Sequence, residues 1–288
     1  MKRALKTLVA RVVQKGLPDS VLQALAPVVS KGPVPWDEAA VQLDYLRAHV
    51  IRVGYPQYLY GLLCAARTAR AVGLREFSAI EFGVAGGNGL VALEEHAAAI
   101  EQQTNMSIRI FGFDSGAGLP PRTDPRDCPF AFRGGEYKMN EPELRARLKR
   151  AELRLGDVAQ TVPTFSSEDF PPLGFISNDL DYYTSTRDSF ALLKLPSSQL
   201  LPRVVMYFDD LLGYPYTTIT GEWAAINEFN SAEKHRRLGS IFGLKYTLGP
   251  HYRFTNWSES FFLLHVFDHP NYNFPESVPS SAATELHR

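Results

Sequence analysis

Cysteine is almost missing from this chain. Cys64 and Cys128 are the only two, and their spacing fits neither a disulfide framework nor a metal knot. A reduced, cytoplasmic setting is the expectation that follows. Long apolar runs are lacking too, so no segment reads as a membrane span and no stable insertion is expected. Charge of one sign is not in excess: 30 Lys and Arg stand against 31 Asp and Glu, a net −1. Nothing global therefore points to nucleic acid as a partner. The histidines are scattered, and His235, His251 and His265 form no i, i+4 pair of the metal-ligating kind. Repeats and low-complexity tracts do not occur. What remains is an ordinary globular chain, 45% hydrophobic over 288 residues, with ample material for a core.

The N-terminus "MKRALKTLVARVVQKG" starts basic, but Arg11 and Lys15 interrupt any signal-peptide core. Leu5, Leu8, Val9, Val12 and Val13 recur at helical spacing. Such a basic amphipathic helix lies on a membrane surface or docks on its own domain or a subunit partner. Docking is the preferred reading, because surface helices are commonly amphipathic. Residues 1–55 are expected to form a helical extension, serving as a lid or a homodimer contact. Residues 56–270 are expected to form the main domain, and 271–288 a polar tail that frays.

A helix is expected from Pro56 to Val72, with Gly73 as its stop signal. From Ser78 the pattern changes. "SAIEFGV" reads as a strand, "GLVALEEHAAAIEQQ" as a helix and "IRIFGFD" as a second strand. After the helix "EPELRARLKR", "ELRLGD" is a third strand and "LGFISNDLD" a fourth. The helix "STRDSFALLKL", the strand "RVVMYFDD" and the helix "GEWAAINEFNSAEKH" follow, and "IFGLKYTL" and "ESFFLLHVFD" read as a closing pair of strands. Strands alternating with helices argue for a mostly parallel α/β sheet covered on both faces. In such sheets ligands bind at the carboxyl ends of the strands. Those ends here read Gly83, Asp114, Asp157, Asp179 with Asp181, and Asp209 with Asp210. The loop from Ser115 to Asn140, rich in Gly, Pro and Arg, is long enough to suggest a functional role.

"IEFGVAGGNGLVALE" is a strand, a glycine-rich turn and a helix. Gly83, Gly86, Gly87 and Gly89 allow close approach to a ligand, and the helix N-terminus favours negative charge. Aligned on Gly83, the dinucleotide pattern G-x-G-x-x-G fails, because position 85 is alanine. Glu81 precedes the first glycine by two residues and suits a ligand with an ammonium group, such as the methionine part of S-adenosylmethionine. The competing reading is a structural turn with a core-facing glutamate. Asp114 is placed to accept from ribose hydroxyls, and Asp157 from an adenine amine. Either aspartate also has the bland reading of a helix cap.

The run "GFISNDLDYY" poses the main question. A strand that looks buried ends on Asp179 and Asp181, and another, "RVVMYFDD", ends on Asp209 and Asp210. Burying a charge costs several kcal/mol unless it is paired, hydrogen-bonded or bound to a metal.

Taken together, "EFGVAGGNG", "GFDSGAGLP", "LGDVAQTVPTF", "NDLDYYTST" and "YFDD" resemble, in this order, the class I S-adenosylmethionine-dependent methyltransferases, and in particular their macrocin O-methyltransferase-like branch. The resemblance spans roughly Pro56 to Asp268. It implies a Rossmann-like seven-stranded sheet whose last strand is antiparallel, a bound methyl donor, and a magnesium-assisted methyl transfer to a hydroxyl. It implies further that Asp179, Asp209 and Asp210 hold the metal and that Asp181 is the general base. Ser115, Gly156 and Val158, flanking the donor-site aspartates, join the expected donor-binding set. Leu180 departs from the pattern, since the sugar-modifying relatives tend to have glycine between the two aspartates.

Strands four and five are expected to be neighbours, which brings the four carboxylates together. They would repel and raise one another's pKa values. Mg²⁺, which takes oxygen ligands, removes that penalty and leaves room for a substrate oxygen. The competing reading has Asp209 or Asp210 as a cap and Asp179 paired with an arginine such as Arg187. The expected function is an O-methyltransferase acting on a small hydroxylated acceptor. The alternatives are a metal-dependent glycosyltransferase, since D-x-D also holds a metal against a nucleotide diphosphate, and a non-catalytic donor-binding module.

Overall fold

Residues 54–121, 124–244 and 257–274 are described in the computed structural model. The expected N-terminal helix, the extension up to residue 53, His251 and most of the tail lie outside them. Helix α1 (Pro56–Ala71) leads into β1 (Glu76–Phe82), α2 (Asn88–Thr104) and β2 (Ser107–Asp114). After the long loop come α3 (Glu141–Arg147), β3 (Glu152–Leu155), α4 (Val158–Phe165) and β4 (Leu173–Asn178). The chain continues through α5 (Tyr183–Ser189), β5 (Leu200–Phe208), α6 (Gly221–Ala232), β6 (Arg236–Ser240) and β7 (Phe261–Val266).

The strands form one seven-stranded sheet in the order β3-β2-β1-β4-β5-β7-β6. The first five pair in parallel, and β7 runs antiparallel to both β5 and β6. This is the Rossmann-like arrangement with helices on both faces that the alternating pattern implies. Chain order reverses between β1 and β4, so the crevice at their carboxyl ends is the expected ligand position.

β4 is buried along its whole length, as are the last six residues of β1. A strand covered on both faces needs a continuous apolar run rather than an alternation. "SAIEF" and "LGFIS" supply it. In α2, Leu90, Leu93, Ala97 and Ile100 recur at helical spacing and are fully buried, each leucine contributing about 2 kcal/mol by burial. Glu94 on the same helix is also buried, and its carboxylate accepts the backbone N–H groups of Lys149, Arg150 and Ala151. That bond set stops α3 at Arg147, three residues short of the expected end.

Two further expectations need correction, and one helix was not expected. The helix read over "STRDSFALLKL" begins at Tyr183 and tightens into a 3₁₀ turn over Phe190–Lys194, because Pro196 forces Leu195 out of the α region. The segment Val158–Phe165 is a helix that the pattern did not disclose, since Pro163 inside it reads as a breaker. The strand beside β7 is "RRLGS", not "IFGLKYTL"; residues 245–248 lie outside the described set. Arg236 hides that strand from a hydropathy reading. It is buried, and its guanidinium donates to the carbonyls of Leu193 and Leu195 and pairs with Asp268. The competing reading, in which Asp179 pairs with Arg187, is not seen, and Arg187 binds Asp188 instead. No described helix is long and apolar enough to cross a membrane.

Candidate functional site

At the carboxyl edge of the sheet lies a cavity of about 890 Å³. Gly83 and Ala85 of the glycine loop open onto it, as do Asp114, Ser115, Gly156, Asp157 and Val158 from the ends of β2 and β3. Asp179, Asp181, Asp209 and Asp210 line its other end. Both halves of the predicted site therefore share one space.

Gly83 is fixed by its neighbours. Its φ is +82°, and an added Cβ would sit 1.7 Å from the Asp179 carbonyl oxygen. Only glycine lets β1 end this close to the end of β4. Gly83→Ala is expected to cost about 3 kcal/mol or more, measurable by chemical denaturation. A loss below about 1 kcal/mol would refute the close approach. Gly87 caps α2 and faces Leu144, while Gly86 is exposed at the loop tip. Arg147 donates to the Gly86 carbonyl and the Asn88 side chain, pinning that tip from α3. Gly86, Gly87 and Gly89 themselves do not line the cavity.

Glu81 is 3% exposed and also stands behind the cavity wall. Its Oε1 accepts the Tyr58 hydroxyl at 2.8 Å and lies where a Cβ on Gly89 would be. Its Oε2 is buried with no partner. Burial pushes the carboxyl up to about 8; the Tyr58 bond pulls the other way and the Asp114 charge adds to the rise. A buried acceptor oxygen without a donor is costly. An ammonium group arriving there would satisfy it, so Glu81 fits the methionine end of the donor.

Asp114 accepts the Ala85 N–H on Oδ2 and the Gly116 N–H on Oδ1, at 2.8 and 2.6 Å. It thus ties the glycine loop to the loop after β2 while keeping lone pairs toward the cavity. The Ser115 hydroxyl closes a local turn by accepting from Ala117 and donating to the Gly118 carbonyl. Asp157 is the N-cap of α4, its Oδ1 accepting the Ala159 N–H at 2.9 Å. The capping role and a cavity-facing position coexist in this residue.

The carboxylates of Asp179, Asp209 and Asp210 each present an oxygen within 4.8 Å of the others. β4 and β5 are parallel neighbours, Asn178 paired with Phe208, so their next residues meet. Burial raises the Asp179 carboxyl well above the usual range, and the charges of Asp210, Asp209 and Asp181 add to it. Asp210 is pushed up to about 6 by burial, with the Tyr216 bond opposing. An all-oxygen triad of mutually repelling carboxylates fits a hard divalent cation.

Asp181 stands beside the triad at φ +56°. Asp210 accepts the Asp181 N–H on Oδ2 at 2.9 Å, which fixes that left-handed turn. Burial, then the Asp210 charge, pushes the Asp181 carboxyl up to about 7. A carboxylate so placed suits proton acceptance near neutral pH.

Several residues around this cluster escaped the sequence reading. The Tyr216 hydroxyl donates to Asp210 Oδ1 at 2.6 Å and lies 3.5 Å from Asp181 Oδ1. The Tyr207 hydroxyl donates to Asp209 Oδ1 at 2.6 Å. Glu222, fully buried on α6, accepts the Asp210 N–H at 3.1 Å, and its Oε1 has no partner. Burial and the charges of Asp210 and Asp179 hold its carboxyl well above the usual range. A "Y-x-D-D" spacing could have flagged Tyr207. Nothing local marks Tyr216 or Glu222, which reach the site from a loop and the next helix. Tyr182 and Tyr183, which follow the D-x-D, are buried; the Tyr183 hydroxyl donates to Glu228. His265 is engaged away from this edge, with Nδ1 2.7 Å from the Tyr272 hydroxyl.

No protein-family model matches the chain, and no curated protein matches it. Solved structures do. The calicheamicin methyltransferase CalS11 is 21% identical over 79% of this chain and 90% of its own, with a TM-score of 0.48. An O-methyltransferase from Bacillus cereus in complex with S-adenosylhomocysteine is 16% identical, over 86% and 97%, with a TM-score of 0.41. TomG, an O-methyltransferase from Streptomyces achromogenes in complex with S-adenosylmethionine, is 17% identical, over 86% and 96%, with a TM-score of 0.43. With likenesses this distant, the reading of the site rests on its own geometry.

Proposed function

We propose that this chain transfers the methyl group of S-adenosylmethionine to a hydroxyl of a small-molecule acceptor with the help of a divalent cation such as Mg²⁺. The observation that carries the proposal is the cavity itself. A glycine-loop half lined by Gly83, Ala85, Asp114 and Asp157 and a half with three converging carboxylates open onto one space, and behind the first half Glu81 keeps one buried oxygen without a partner.

When bound, the donor supplies an electrophilic methyl, and the cation lowers the pKa of the acceptor hydroxyl. The chain's residues do the rest. Asp114 would accept from the donor's ribose hydroxyls and Asp157 from its adenine amine, with Gly83, Ser115, Gly156 and Val158 shaping the space, and Glu81, just behind the wall, would accept from its ammonium group. Asp179, Asp209 and Asp210 would hold the cation, which would supply a binding point for the acceptor oxygen. Asp181 takes the hydroxyl proton, its carboxylate aimed by Asp210 through the backbone. Tyr216 and Tyr207 hold Asp210 and Asp209 in place by hydrogen bonds.

Calorimetric titration of S-adenosylhomocysteine into the protein, with Mg²⁺ and then with chelator, tests the donor site. Micromolar or tighter binding is expected; no binding under either condition, or preferred binding of a nucleotide sugar, overturns the proposal. Asp179→Ala is expected to weaken Mg²⁺ binding by about tenfold or more, because one of three carboxylate ligands is lost. Unchanged Mg²⁺ affinity would remove Asp179 from the cation site, and no Mg²⁺ binding by the native protein would leave a donor-binding module without metal chemistry.

A further inference from the structure

Two loops border the carboxylate end of the cavity, one after β2 and one after β5. Phe132 of the first and Tyr216 of the second both line the cavity, their ring centroids 6.2 Å apart. Two residues earlier on each loop stand Phe130 and Tyr214, their centroids 6.1 Å apart. The inner rings are packed with Leu119, Cys128 and Tyr182. The outer rings are 65% and 87% exposed. The two loops thus carry a two-rung aromatic ladder that runs from the cavity to its outside. Tyr137, which lines the cavity and is 59% exposed, stands in the same loop as Phe130.

Exposed apolar side chains are concentrated here. Of the eight large hydrophobic residues exposed among the described ones, Phe130, Tyr137, Leu212, Tyr214 and Ile219 come from these two loops. Scattered exposure would need no explanation, but five of eight on the two loops that supply Phe132 and Tyr216 to one cavity does. Within the cavity the chemistry is opposite. Six aspartates line it, and no Arg, Lys or His does among the described residues. A diphosphate or carboxylate on the acceptor would find no basic side chain there to share its charge with the single cation on the triad.

We infer that the acceptor is an uncharged hydroxyl compound with an apolar body, its hydroxyl end entering the acidic cavity while its body rests on Phe130 and Tyr214. The inference rests on the methyltransferase reading and deepens it. The occupant is the acceptor itself because the outer rung continues the inner one, which already belongs to the cavity wall. Aromatic faces at that position stack on rings or cover alkyl chains without discriminating finely between them.

The test uses the full chain loaded with S-adenosylhomocysteine and Mg²⁺. The probes are 4-methylcatechol and 4-hexylcatechol, titrated calorimetrically into the native protein and into a Phe130→Ser/Tyr214→Ser variant. The native protein is expected to bind the hexyl compound at least about tenfold more tightly than the methyl one, since added methylenes leave water for the platform. The variant is expected to show a preference below about threefold, with S-adenosylhomocysteine affinity and Tm unchanged. Equal preference in the two proteins, or binding of neither diol while S-adenosylhomocysteine binds, overturns the platform and leaves the donor site standing. Thymidine diphosphate-glucose binding more tightly than the hexyl compound overturns the uncharged class. A solution mass that halves in the variant assigns the rings to a second copy, which also overturns it. Failure of S-adenosylhomocysteine to bind the native protein removes the methyltransferase reading beneath it.

Discussion

Asp181→Asn is expected to lower kcat by about 10²–10⁴-fold, the range a positioned general base contributes, with S-adenosylhomocysteine affinity within about twofold. Asparagine has nearly the same shape and tolerates the left-handed backbone that Asp181 adopts at φ +56°. Its N–H can still donate to Asp210 Oδ2, so the turn beside the triad survives. What disappears is a carboxylate pushed up to about 7, able to accept a proton near neutrality and release it again. Steady-state rates on an acceptor found by screening, with calorimetry on the same variant, measure both quantities. A near-native kcat would take proton transfer away from Asp181. Loss of S-adenosylhomocysteine binding would show instead that the residue holds the end of β4 in place. Tyr216→Phe offers a graded companion. It removes the hydroxyl that opposes the rise at Asp181 and Asp210, so the acidic limb of the pH–rate profile is expected to move to higher pH.

Freed of divalent cations by chelation, the protein is expected to lose stability as pH rises from about 5 to 8.5. Glu81, Asp181 and Asp210 are held up to about 8, 7 and 6, against ordinary values of 4.5 and 3.8. A carboxyl whose folded-state pKa is raised holds its proton more tightly in the folded chain. The stability this contributes is complete below about pH 4 and is lost as pH rises through 6, 7 and 8 in turn. A total on the order of 5 kcal/mol, or roughly 10 °C in Tm, is expected for the set. Saturating Mg²⁺ acts in the opposite sense, because it binds the deprotonated triad. Its gain in Tm is expected to be small at pH 5.5 and largest near pH 8. Thermal melts across that range, in chelator and in Mg²⁺, check both curves. A flat curve in chelator would mean that the carboxyls are not held protonated by burial. An equal Mg²⁺ gain at all pH values would remove the triad as the cation site.

Much of the sheet was legible because its strands are buried on both faces and so read as short apolar runs. β4 and β7 fall inside the runs that mark them, and β1, β2 and β5 overlap theirs but start two, one and three residues earlier. The elements that were missed depend on partners far away in the chain. β6 is a strand because Arg236 finds two carbonyls and Asp268; written out alone, "RRLGS" looks like a polar connector. Helix α4 survives an internal proline because Asp157 caps it and Val162 and Phe165 are buried against the sheet. Glu94 sits on a helix that reads as amphipathic, yet three backbone N–H groups of another segment surround it.

The candidate site divides in the same way. The sequence by itself determined which residue types end each strand, and strand order then placed Asp179 and Asp181 beside Asp209 and Asp210. Carboxylates at strand ends are local features, and parallel neighbours align their ends, so the cluster follows from pattern and topology. Only the tertiary structure decided what each carboxylate does there. It left one oxygen of Glu81 without a donor and spent both oxygens of Asp210 on Tyr216 and the Asp181 backbone. It also brought Glu222 beneath the acidic pair and laid the aromatic ladder across two loops. Those outcomes are set by distances between segments that are remote in sequence. Hydrogen bonds and burial depend on such distances, and no periodicity in the chain encodes them.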